Sequence, residues 1–168
     1  MTFGQRVVHV LRLDAAAFEE IEADRHANGQ ALAVVVVASL AAGLGAGFLL
    51  GPFGLIRETL AALIGWVMWA AVTYVIGTKI LPEPQTRSDM GELLRVIGFS
   101  YAPNAFAIFA FVPLLGWFVR IVVAFWLLAA TVLAVRQALD YRSTGRALLV
   151  VLIGWVFFVF LTAAFLQC

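Results

Sequence analysis

The chain has 168 residues, of which 64% are apolar and 12% charged, with a formal net charge of +1. A soluble domain averages roughly 25% charged residues, so a water-exposed globule is excluded, and the balance of charge gives no ground for a nucleic-acid partner. The longest polar stretch is residues 1–30, too short to bury a useful core of its own.

This first segment reads as a cytoplasmic amphipathic region of two short surface helices. Between Phe3 and Leu13, Arg6, His9 and Arg12 recur at three-residue spacing while Val7, Val8 and Leu11 occupy another face. Such a helix suits the headgroup layer. Asp14 is placed to cap a second helix with Phe18 and Ile21 as its apolar contacts, and Asn28-Gly29 reads as its stop. The segment is expected to anchor on the membrane surface. The sharper alternative is a docking face for a soluble partner, built on the acidic run Glu19, Glu20, Glu22 and Asp24.

Residues 31–168 carry five apolar stretches, at about 31–51, 59–78, 96–112, 117–135 and 147–166. At about 1.5 Å per helical residue each is roughly matched to a hydrocarbon core about 30 Å thick. They must be helices, because lipid satisfies no backbone amide. A cleavable leader is not expected, since the first apolar run follows an acidic segment and is long enough to remain as a span. Arg6, Arg12 and Arg25 precede the first stretch, Lys79, Arg87 and Arg95 follow the second, and Arg136, Arg142 and Arg146 follow the fourth. The other side has only Arg57 and Arg120, so the positive-inside rule puts the N-terminus in the cytoplasm and the C-terminus outside. Lys79 is the single lysine beside ten arginines, and Ala, Gly and Val abound, a bias of GC-rich bacterial genomes.

Residues 52–58 and 113–116 are short connections, so spans one and two, and spans three and four, form antiparallel hairpins on which the fifth must pack. Ser39, Gly43, Gly47 and Gly51 recur every fourth residue, a ridge for close helix approach within the chain or at the seam of a homo-oligomer. Trp66, Trp69, Trp126 and Trp155 lie inside spans, where most should serve bundle packing. A local echo relates Asp24 to Val35 with Asp140 to Val151, matching Asp, Gly, Ala, Leu and both valines. It reads either as two similar solutions for leading into an outward-running helix or as an internal duplication.

Candidate chemistry is sparse. His9 and His26 lack the spacing of a zinc site, and the lone cysteine, Cys168, makes no disulfide framework, so neither metal nor cofactor is expected. No nucleophile elbow, phosphate loop or paired intramembrane carboxylates are present, which argues against an enzyme. The polar residues at membrane depth are Ser100, Tyr101 and Asn104 around Pro103. Proline lacks an amide donor and releases the carbonyl of Phe99, so a kink is expected there, serving structure or, as in transporters, a cavity. Glu58 and Arg120 are both expected near the outer surface, where an ion pair would link the two hairpins; otherwise Arg120 snorkels.

The run Gly91-Glu-Leu-Leu-Arg-Val-Ile-Gly98-Phe99-Ser-Tyr-Ala-Pro103 resembles the third-span signature of the Yip family, the Ypt/Rab-interacting membrane proteins, with Phe99 in place of the tyrosine of a Gly-Tyr pair. Arg136-Gln-Ala-Leu-Asp140 and Thr144-Gly145-Arg146-Ala147, with the following Val-Val-Leu-Ile-Gly154-Trp155, look like the ending of bacterial members. The resemblance runs from about Arg12 to the end and implies a five-span bundle with a cytoplasmic N-terminal segment. Eukaryotic members carry an Asp-Leu-x-Gly-Pro motif before the first span, and this chain does not; Gly51-Pro52-Phe53 falls after it. Rab-type GTPase binding is implied for eukaryotic members only, since a bacterium lacks such partners.

The expectation is therefore an all-α integral membrane protein with five transmembrane helices, multi-pass in a bacterial inner membrane. Its role is read as a non-enzymatic scaffold or membrane-organising, trafficking-related factor, embedded in the lipid bilayer and meeting a protein partner at its cytoplasmic face. The alternative is a small transporter or channel subunit with its site at Pro103. Candidate residues are Gly98, Phe99, Ser100, Tyr101, Pro103 and Asn104, the pair Glu58 and Arg120, and Gly43 and Gly47 on the ridge.

Overall fold

The structure, a computed structural model, describes residues 1–46 and 51–166, the side chains of residues 52 and 161–166 excepted. Seven α-helices follow in order among the described residues: α1 Phe3–Leu11, α2 Ala15–Ala23, α3 Ala27–Gly45, α4 Gly51–Val75, α5 Met90–Ser100, α6 Gly116–Ala138 and α7 Thr144–Leu166. No strand occurs among them. By length and apolarity, Ala27–Gly45, Phe53–Ile80, Met90–Phe111 and Gly116–Ala138 suffice to cross a membrane, and α7 adds a further apolar helix over Thr144–Phe160. Their flanks carry large apolar side chains turned outward, such as Ile64 and Phe125, the inverse of a soluble bundle and the arrangement that lipid rewards.

The boundaries differ from the sequence expectation where polar residues were taken for loops. Arg57 and Glu58 lie within α4, which begins at Gly51, so residues 52–58 are helix and not a connection. Gly51 has φ +59, a left-handed conformation that costs glycine little. Likewise α5 begins at Met90, so Arg95 is a helix residue and not a loop charge. Asp89 explains the start: its carboxylate accepts from the Glu92 amide while Glu92 reaches back to the Asp89 amide, both at 2.8 Å. Asn28-Gly29 does not stop α2 either. Asp24 ends that helix, and Asn28 and Gly29 are in the first turn of α3.

At Pro103 the chain changes helix type. The proline offers no N–H to the Phe99 carbonyl, α5 ends at Ser100, and a 3-10 helix runs over Ala102–Phe111. Tighter bonds carry it, with the Tyr101 amide on the Gly98 carbonyl at 3.3 Å and the Asn104 amide on the Tyr101 carbonyl at 2.9 Å. This slimmer segment packs against α3 and α6. The contact with α3 is so close that a Cβ on Gly45 would lie 1.8 Å from the Ala107 carbonyl oxygen. Backbone meets backbone there.

α4 ends in a different irregularity, a π-helical segment over Ile76–Ile80 closed by the Leu81 amide on the Ile76 carbonyl at 2.8 Å. The Tyr141 hydroxyl lies 3.0 Å from the Gly77 carbonyl and 2.7 Å from that of Leu81, where the widened turn leaves acceptors underused. α7 packs on both α4 and α6, one helix from each hairpin. Along the echo, Ala31, Val34 and Val35 of α3 and Ala147, Val150 and Val151 of α7 are all buried. The matched alanines and valines thus mark the inward face of each helix near its start, whereas the matched Leu32 and Leu148 are exposed.

Candidate functional site

The polar chemistry gathers at one end of the bundle, where α1 and α2 fold back over it. Thr2 and Gln5 cap α1 reciprocally. Leu13, at φ +58, turns the chain, and Asp14 starts α2 by accepting from the Ala16 amide at 3.0 Å. The other Asp14 oxygen lies 2.8 Å from His9 Nδ1. The imidazole first, then the amide, holds the Asp14 carboxyl below its usual range.

The apolar faces of these helices dock on the bundle. Val10, Ala17, Phe18 and Ile21 have no exposed area. Arg6, expected on a basic face in the headgroup layer, is buried instead: Nη1 donates to Gln30 Oε1 at 2.8 Å, and Nη2 to Glu20 at 3.1 Å and Asp24 at 2.6 Å. One guanidinium thereby ties α1 to α2 and to α3. From α6, Trp126 Nε1 donates to the Leu11 carbonyl at 3.0 Å, and its ring stacks on Phe106 at 5.3 Å. Phe3 meets Phe99 edge-on at 6.2 Å.

Arg95 of α5 ties the end of α2 to the bundle. It is buried, and its Nε and Nη2 both donate to the backbone carbonyl of Glu22, at 3.1 and 2.5 Å. That carbonyl lies in the last turn of α2, where the helix dipole favours a cation. Gln137 of α6 adds a bond to Glu19 at 2.7 Å. The next turns are clasped too, since Gln85 donates to the Asp140 carbonyl and Arg146 lies 3.5 Å from Glu83.

Between α2, α5 and the end of α6 lies a cleft of about 600 Å³, lined by Glu19, Glu22, Glu92, Arg136, Asp140 and Arg142 together with Ala23, Gln137 and Tyr141. Glu22 is half-buried in its wall. Desolvation, followed by repulsion from Glu92 and Asp140, raises its carboxyl to about 7, with Arg95 pulling the other way and Glu19 adding further repulsion.

The residues singled out in the sequence fall into three places. Gly98 to Asn104 line up at the change of helix type. A Cβ on Gly98 would lie 2.7 Å from the Ala31 Cβ and 3.1 Å from the Trp66 ring. Phe99 and Ser100 are fully buried, and Pro103 is buried. The Ser100 hydroxyl reaches the Ile97 carbonyl at 2.8 Å and Thr131 Oγ1 at 3.2 Å. Trp66 Nε1 donates to the Leu94 carbonyl at 3.0 Å. Tyr101 turns from this core toward an apolar cavity of about 560 Å³ whose walls include Trp69, Thr131, Trp155 and Phe158. Of the span tryptophans, Trp66, Trp69 and Trp126 pack in the bundle, whereas Trp155 is 60% exposed and faces outward.

Glu58 and Arg120 do not meet. Glu58 pairs with its neighbour Arg57 at 2.9 Å, and Arg120 is exposed on α6 with no carboxylate in ion-pair range among the described residues. Both side chains are exposed, where an ion pair contributes little. Gly43 faces Leu55 of α4, whose Cδ2 would lie 2.9 Å from an added Cβ, while Gly47 lies outside the described residues. Gly45, off the four-residue ridge, makes the tightest contact. Arg6, Glu22, Arg95 and Tyr141 were missed as site residues. For Arg95 a signal was present, since it interrupts the apolar run Leu93-Leu94-Arg95-Val96-Ile97.

Long apolar helices bundled with their apolar flanks outward define a multi-pass integral membrane protein. The chain belongs to the Yip1 domain family, whose model matches residues 8–165, nearly its whole length. No curated protein and no solved structure matches it.

Proposed function

We propose that this protein is a non-enzymatic scaffold of a bacterial inner membrane, spanning it five times with the N-terminus inside, and that α1 and α2 with the adjoining cleft form its working face toward a cytoplasmic protein partner. The observation that carries this reading is the anchoring of α1 and α2. Arg6, Arg95, Trp126 and Gln137 each tie them to another element, which fixes a preorganised polar surface on a chain otherwise bounded by apolar flanks. Membership in the Yip1 domain family agrees with a non-enzymatic membrane protein. At Pro103 the Ser100 hydroxyl is engaged by the Ile97 carbonyl and Thr131, and Phe99 is buried, which supports a structural role there.

Photo-crosslinking in native membranes tests the reading. A crosslinker at exposed Arg12 or Arg25 should capture one defined soluble protein, whereas one at exposed Phe125 should capture lipid. Capture only of a second copy of this chain would make the face an oligomer seam. Capture of lipid from all three positions would remove the scaffold reading.

A further inference from the structure

The polar end contains a carboxylate cluster that the docking contacts leave uncompensated. Glu22 sits on α2 with its backbone carbonyl gripped by Arg95, so the guanidinium of that arginine is aimed at the main chain and at Asn28 Oδ1. Around the Glu22 side chain, α5 contributes Glu92 and Arg95, the end of α6 contributes Arg136 and Gln137, the following turn contributes Asp140, Tyr141 and Arg142, and α2 itself contributes Glu19. Arg6 of α1 is engaged by Glu20 and Asp24. Glu19 is occupied by Gln137, and Arg136 Nε donates to the Tyr141 carbonyl at 3.3 Å. No ion pair to Glu22, Glu92 or Asp140 occurs among the described residues.

Docking α2 therefore brings the Glu22 carboxylate out of water and toward Glu92 and Asp140, while lifting α2 away returns it to solvent. We infer that the seating of α2 on α5 and α6 is proton-linked through Glu22: the helix is held firmly when this side chain is neutral and loosens as it ionises. The inference concerns regulation of the face proposed above. Its test reads the seating of α2 and not partner capture, so the two readings fail separately.

The sign follows from linkage. Glu22 titrates at about 7 in the docked structure against an ordinary 4.5, so the docked form binds the proton more tightly. Its contribution to docking is complete below the ordinary value and is lost as pH rises through about 7. Most of the loss falls between pH 5 and pH 7, with a plateau above pH 8.

The experiment uses the full chain in lipid nanodiscs with Cys168→Ser. Ala17→Cys reports the fully buried face of α2, and Ala16→Cys its exposed face. The ratio of their labelling rates with a soluble thiol reagent cancels the pH dependence of the thiol itself. That ratio should rise about tenfold between pH 5 and pH 8, and Glu22→Gln should keep it low at both. A ratio indifferent to pH overturns the inference, as does a pH response that survives in Glu22→Gln. Should Ala17→Cys disturb packing, hydrogen exchange of the α2 amides in the otherwise native chain, corrected for intrinsic rates, gives the same comparison. Protection that falls with pH in the native chain and stays constant in Glu22→Gln is the expected result. Equal behaviour of the two proteins overturns it.

Discussion

Arg95 and Glu22, 73 residues apart, are joined through a guanidinium and a main-chain carbonyl, with both Nε and Nη2 donating to one oxygen. The contact does not use the Glu22 carboxylate. It fixes where α2 ends on α5 and leaves the side chain free to titrate, so anchoring and charge are separated within one residue.

Replacing Arg95 with Lys keeps the charge but removes the paired donors. Hydrogen bonds to charged groups contribute about 1.5 to 3 kcal/mol, and a loss in that range is expected for Arg95→Lys by thermal unfolding in detergent. Hydrogen exchange in α2 should rise with it. Native protection of α2 in this variant would show that Phe18 and Ile21 suffice to seat the helix.

Gly98 permits α5 to lie against both Ala31 of α3 and Trp66 of α4. Gly98→Ala should destabilise by about 1 to 3 kcal/mol, the usual cost of overpacking. Because the nearest atom is the Ala31 methyl, adding Ala31→Gly should recover part of the loss despite the glycine penalty of about 0.5 to 1 kcal/mol. Simple additivity of the two changes would mean that the helices separate as a whole.

The clamp on Arg6 has the opposite pH sign to Glu22. Glu20 is held below its ordinary value first by a hydrogen bond from the N-terminal amine and then by Arg6, and Asp24 first by Arg6. A depressed carboxyl stabilises above its ordinary value and loses that contribution as pH falls. Protection of the α1 amides from hydrogen exchange should therefore decline in acid below about pH 4.5. Arg6→Gln should weaken this acid response, leaving the share that the N-terminal amine contributes through Glu20, while the neutral-pH response of α2 persists. An α1 equally protected at pH 3 and pH 6 would contradict the account.

Orientation is checked by fusions. A reporter active only in the cytoplasm should work after Gln85 or Tyr141 and be silent after Cys168. Signal at Cys168 would revise either the number of crossings or their direction.

Hydropathy by itself determined that this is a helical membrane protein, because lipid admits only helices and closed barrels, and continuous apolar runs of about twenty residues lack the alternation of barrel strands. The motif around Gly98 to Pro103 carried the family, and the bulk of the spans was legible as apolar runs. Helix boundaries were less so: Arg57, Glu58 and Arg95 are charged yet helical, because Arg and Glu are good helix formers and Asp89 caps the start of α5 ahead of Arg95. Only the tertiary structure decided the fate of α1 and α2. Their amphipathic pattern is equally satisfied by a membrane surface or by the flank of a bundle. Burial of Arg6 and Arg95 depends on acceptors contributed by Glu20, Asp24, Gln30, Glu22 and Asn28, partners set by folding and invisible to periodicity. The importance of Gly45 is of the same kind, because a close approach to Ala107 is a property of two segments and not of the spacing within one.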